Sequence, residues 1–131
     1  MWEALVALAL ARAAIACFPF RRIAAWMGTP GAESPYAVDV KKNDIAREVG
    51  WAVATLARRV PWDGRCLVQA LAAMGMLRRR SVEGTMSFGA RRGETVGFDA
   101  HAWLRVGSLI VTGDPGQRQF QTFTTFARRR P

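Results

Sequence analysis

The stretch "FDAHAWLRV" (98–106) constrains the fold more than any other part of the chain. Phe98, Ala100, Ala102, Leu104 and Val106 alternate with Asp99, His101, Trp103 and Arg105. Successive strand side chains point to opposite faces, so this pattern predicts a strand with one apolar face toward a core and His101 on the other. The following "VGSL" carries Gly107-Ser108, a pair suited to a two-residue type II′ hairpin. Val106 then opposes Leu109 in "LIVTGD", and continuing that register sets His101 opposite Asp114. Directly opposed residues share a face, with Cβ atoms about 4.5–5.5 Å apart. The hairpin therefore predicts a carboxylate beside the only histidine in the chain.

Upstream, the texture is helical. Residues 2–17 are rich in Ala and Leu, Pro19 interrupts them, and residues 21–27 suit a second short helix. "GTPGAESPYAVD" is rich in turn formers and predicts a loop. Asn43 or Asp44 can cap a third helix, whose apolar positions Ile45, Val49, Ala52, Val53, Leu56 and Val60 follow a 3.6-residue period up to Pro61. A fourth begins after Asp63, with Leu67, Ala70, Leu71, Met74 and Leu77 or Met76 on one stripe. Arg78, Arg79 and Arg80 fall in its last turn and suit a solvated helix end. "TMSFGARR" predicts a further strand, whereas "QFQTFTTFARRRP", with Phe at three-residue spacing, fits neither template and predicts a packed terminal segment. Helices first and strands after predict an α+β fold, N-terminal helices packed on a small antiparallel sheet. At 131 residues the chain suits one domain, 1–131. Residues 1–60 form its mainly helical part and residues 61–131 a helix plus the sheet.

Composition narrows the function classes. Half of the residues are hydrophobic, which excludes global disorder. Net charge is +9, mostly from arginine, but the arginines lie in short scattered clusters without a zinc-finger spacing or an RNA-binding aromatic motif. That argues against nucleic acid and favours an acidic peptide or protein partner. Two cysteines do not make a disulfide scaffold, so a reducing cytoplasm is the expected compartment. One histidine and two distant cysteines make no metal site, and no glycine-rich phosphate loop is present, so no cofactor is expected. In "MWEALVALALARAAIACFPF" Glu3 and Arg12 spoil both a signal peptide and a span. The stretch predicts a buried or partner-facing helix, with surface contact to a membrane as a lesser alternative.

Chemistry gathers on "PWDGRCLVQALAAMGMLRRR". With Asp63 as N-cap, Gly64, Arg65 and Cys66 are the first helical residues. A thiol in that first turn feels the positive helix end and the adjacent Arg65, which favours the thiolate. Unpaired N–H groups there suit a developing oxyanion. His101 can take the thiol proton, and Asp114 can hold the imidazole tautomer. Asp99 is a rival for that last role, on the same face but about 7 Å along the strand. Trp62 and Trp103 are candidate cleft walls, and Cys17 is expected in the core.

"CLVQALAAMGMLRRR", "FDAHAWLRVG" and "TGD", with "FPFRRIAAWMG" and "RRVPW" upstream, resemble the transglutaminase-like leader peptidases of lasso-peptide biosynthesis. The resemblance spans nearly the whole chain and implies a papain-like, transglutaminase-core cysteine peptidase. It implies Cys66 as nucleophile, His101 as base and Asp114 as orienting acid. It further implies a precursor peptide as substrate, a separate small leader-recognition protein as partner, and a lasso cyclase acting next. Arg105 departs from the pattern, where an acidic residue often follows; this is expected to alter substrate charge preference and to leave the triad intact. Acyl transfer to an amine, and a non-catalytic adaptor of a maturation complex, are the rival functions.

Overall fold

A computed structural model of the chain describes residues 2–59, 66–92, 98–113 and 121–128. Four helices precede most of the sheet: α1 Trp2–Cys17, α2 Phe20–Met27, α3 Val40–Ala57 and α4 Cys66–Arg79. The strands are β1 Thr29–Pro30, β2 Thr85–Arg92, β3 Phe98–Val106, β4 Leu109–Thr112 and β5 Gln121–Ala127. They form one antiparallel sheet in the order β1-β5-β2-β3-β4. The fold is α+β, as the order of patterns predicts.

Helix α4 is the centre of the packing. Val68, Ala70, Leu71, Ala72, Ala73, Met74, Met76 and Leu77 are all buried, more than the single stripe expected from the sequence. The reason is that α4 is covered twice, by α1 and α3 on one side and by β3 and β4 on the other. Its small residues allow this: Ala70, Ala72 and Ala73 let neighbouring elements approach closely. The sheet answers with Met86, Ala102, Leu104, Val106 and Phe126, all in the same apolar cluster as α4.

Several local expectations shift. Helix α3 starts one turn earlier than Asn43 or Asp44 would give, because the Asp39 carboxylate accepts the Lys42 N–H at 2.8 Å and is the N-cap. Helix α3 ends at Ala57; Val60 and Pro61 lie outside the described residues. The loop after α2 contains the two-residue β1, paired with β5. The phenylalanine-rich tail is a strand and sits inside the sheet, between β1 and β2. Its register against β2 shifts between Phe88 and Gly89, which pair with Thr124 and Thr122. A bulge adds one residue to the spacing along a strand, so a test for strict alternation misses β5. Cys17 is exposed, since the core stripe of α1 is Ala4, Leu8 and Ala11 and the last residue falls off it.

The arginines closing α4 are ties between helices. Arg78 donates to the carbonyls of Trp26 and Met27 and lies 4.4 Å from the Trp26 ring centroid. Arg79 and Arg80 both bind the Glu3 carboxylate at the start of α1. Burial pushes the Arg78 guanidinium down to about 10, which still leaves it charged at neutral pH.

Candidate active site

The site is built where the start of α4 meets the middle of β3. Cys66 opens α4, half-buried against the core cluster. Its sulfur accepts the backbone N–H of Ala102, N to Sγ 3.4 Å. Ala102 pairs with Phe88 on the β2 side. On the β4 side the described ladder reaches only Leu104 opposite Thr112. The Ala102 N–H is therefore available to the thiol. An N–H aimed at sulfur is complementary to negative charge there. Ala102 is the residue after His101, so the sulfur rests on the strand one residue from the imidazole.

The hairpin forms as the Gly107-Ser108 pair requires, with Val106 opposite Leu109 and Arg105 opposite Ile110. Gly107 has φ +58, the positive first position of a type II′ turn. The register then slips: Leu104 opposes Thr112, so Val111 is an extra residue. Continuous pairing from His101 to Asp114 therefore does not hold. Gly113 enters instead, at φ +91. Its carbonyl lies 3.1 Å from His101 Nε2. A carbonyl only accepts, so Nε2 carries the proton, and in the neutral ring the lone pair sits on Nδ1. The approach is too close for any side chain: a Cβ on Gly113 would stand 3.0 Å from Nε2 and 2.7 Å from the Trp103 Cβ. Trp103 is buried and stacks on the imidazole, ring centroids 5.8 Å apart and 25° between planes. The ring is thus held on one face by Trp103 and at one nitrogen by Gly113.

Of the candidate residues, Cys66 meets the backbone of β3 at Ala102, and Trp103 stacks on the His101 ring. Asp114, Trp62, Asp63, Gly64 and Arg65 lie outside the described residues, and Asp99 is described by its backbone alone, opposite Arg91. Two contributors carry no reactive side chain and were not singled out by sequence: the Ala102 N–H and the Gly113 carbonyl. The only trace of Gly113 in the sequence is a glycine between the end of a strand and an acid, in "VTGD".

The Arg105 side chain is turned into the fold, against residues 33–36. It is buried, donates to the carbonyls of Gly107 and Ser34 at 2.9 Å, reaches Glu33 and lies 3.8 Å from the Tyr36 ring centroid. Ser34 in turn bonds Thr85 through both its N–H and its hydroxyl. Residues 32–38 therefore cover the second face of the sheet, and the polar row on β3 is a scaffold from Trp103 onward. Among the described residues no three His, Cys, Asp or Glu side chains cluster to hold a metal ion, and no helix is long and apolar enough to cross a membrane.

A thiol and an imidazole on neighbouring stretches of backbone are the two groups that acyl transfer through sulfur requires. The family model described as "Transglutaminase-like superfamily" matches residues 5–127, nearly the whole chain. Neither a curated protein nor a solved structure matches it.

Proposed function

The chain belongs to the transglutaminase-like superfamily, whose members work by cysteine-peptidase-like or acyl-transfer chemistry, and from that premise we propose that it is the peptidase that removes the leader from a lasso-peptide precursor. Cys66 is the nucleophile, His101 the base and Asp114 the orienting acid. The observation that carries this reading is the Ala102 N–H on Cys66 Sγ, which fixes the thiol beside the histidine strand.

In the reaction, the Cys66 thiol gives its proton to His101 and the sulfur attacks the carbonyl at the leader–core junction. The C–N bond breaks as the imidazolium protonates the leaving amine, which leaves a thioester on Cys66. Water, deprotonated by His101, then attacks the thioester and releases the leader carboxylate and the thiol. The Gly113 carbonyl at His101 Nε2 helps to set the orientation of the ring. Asp114, the orienting acid in this reading, follows Gly113 directly in the sequence. Backbone N–H groups at the start of α4 take the oxyanion charge, with Trp62 and Trp103 shaping the cleft. A separate leader-recognition protein presents the precursor, and a lasso cyclase uses the freed core.

The test is cleavage of precursor in the presence of the recognition protein, followed by mass spectrometry. Cys66→Ala is expected to lose cleavage to background while still binding the precursor complex; normal cleavage by that variant rejects the assignment. Membership of this superfamily equally supports a second reading, in which an amine replaces water as acceptor. An added amine appearing as an amide in the product mass spectrum would establish that reading over hydrolysis.

A further inference from the structure

Helix α1 carries two apolar stripes where a helix on a globular core needs one. Ala4, Leu8 and Ala11 face the core and are buried. Val6, Leu10, Ala14 and Phe18 run along the other side and line a groove of about 480 Å³ against α2 and α4. Val6, Leu10 and Phe18 are at least half exposed there. The groove follows α1 from Glu3 to Phe18, about 22 Å at the rise of an α-helix, or four turns. Trp26 of α2 forms part of its wall as a pre-set anchor. Arg78 covers one face of its ring and holds its carbonyl, and the ring edge rests on Gly75, where a Cβ would stand 3.7 Å away. An aromatic already held in place loses little freedom on docking, which is the character of an interface hot spot.

The rim is positively charged. Arg79 and Arg80 share the single Glu3 carboxylate, and exposed Arg22 adds another cation beside the groove. A second copy of a chain with net charge +9 would meet this rim with its own positive field. A membrane presents a plane, whereas this stripe lines a concavity between helices. We propose that the groove is the docking site for an acidic amphipathic helix of a partner protein, with apolar residues at i, i+4, i+7 and i+11 and carboxylates on both flanks. The site stands apart from the Cys66 chemistry, whose residue is absent from the groove lining, and it holds whether or not that thiol reacts.

The experiment uses the whole chain and a fluorescent stapled helix of about four turns, the span of the groove. The probe carries Leu at the four positions and Glu on the flanks; a twin carries Lys in place of Glu. Anisotropy at physiological ionic strength is expected to show saturable binding of the Glu helix and binding about tenfold weaker or more for the Lys twin. Leu10→Glu and Arg22→Glu, both at exposed positions, are each expected to weaken the Glu helix by about tenfold with the thermal midpoint unchanged. Equal binding of the two helices, no binding of either, or full binding by both variants overturns the proposal. So does a dimer in sedimentation that Leu10→Glu dissolves, or co-flotation with phosphatidylglycerol vesicles that the same substitution removes.

Discussion

Gly113 decides the imidazole. Its carbonyl fixes the His101 tautomer, and its lack of a side chain lets β4 bend against Trp103 and the ring. Both properties need glycine here, because φ is +91 and the nearest atoms belong to the site itself. On the proposed peptidase reading, with His101 as base, Gly113→Ala is expected to lower kcat/KM for precursor cleavage by about a hundredfold, since a catalytic group displaced by an ångström loses that much. An NMR titration of the single histidine checks the cause: a shifted imidazole signal in the variant marks a moved ring, and an unchanged one removes the argument. Arg105 teaches the reverse lesson at the same scale. A charged residue on an alternating strand reads as solvent-facing, yet its two terminal nitrogens donate to the carbonyls of residues 107 and 34 and it is buried.

Among the elements, α4 ties the site to the core, because one helix presents Cys66 at its first residue and is enclosed along the rest. The helix that backs it, α3, approaches β4 at Gly50. A Cβ there would stand 2.7 Å from the Val111 carbonyl oxygen. Helix propensity alone predicts that Gly50→Ala stabilises by about 1 kcal/mol. The clash is with backbone, which cannot rotate away, and overpacking of this kind costs about 1–3 kcal/mol. The net expectation is a lower thermal midpoint, read by calorimetry; a raised midpoint would mean that α3 moves freely over β4. Phe88 makes a comparable tie elsewhere, edge-on to Phe20 of α2 at 5.9 Å and to Phe126 of β5 at 5.7 Å.

For the molecule as a whole, one ion-pair cluster closes the chain start onto α4. The Arg80 hydrogen bond, with the charges of Arg80 and Arg79, holds the Glu3 carboxyl below the ordinary glutamate value of 4.5. A carboxyl depressed in the folded state contributes stability that is complete above its unfolded value and is lost as pH falls through the folded one. The cluster is largely exposed and solvent-screened, so its contribution is about 0.5 kcal/mol. Glu3→Gln is therefore expected to be slightly less stable at neutral pH and to converge on the parent protein as pH drops below 4.5. Urea unfolding at several pH values reads this directly. A difference that persists in acid would assign the effect to packing.

Much of this protein was legible from local pattern. Period-2 alternation drew β3 from Phe98 to Val106, period 3.6 drew the helices, and a Gly-Ser pair drew the hairpin turn, because each depends on backbone sterics and on one face meeting a core. Cys66 and His101 stood out by residue type and position for the same reason. Tertiary structure alone decided the rest. Pairing partners far apart in sequence set the place of β5 inside the sheet, and the bulges at Val111 and in β5 exist only against a neighbouring strand. Backbone groups at Ala102 and Gly113 carry no side-chain signature, so their meeting with Cys66 and His101 appears only once the strands and α4 are packed together.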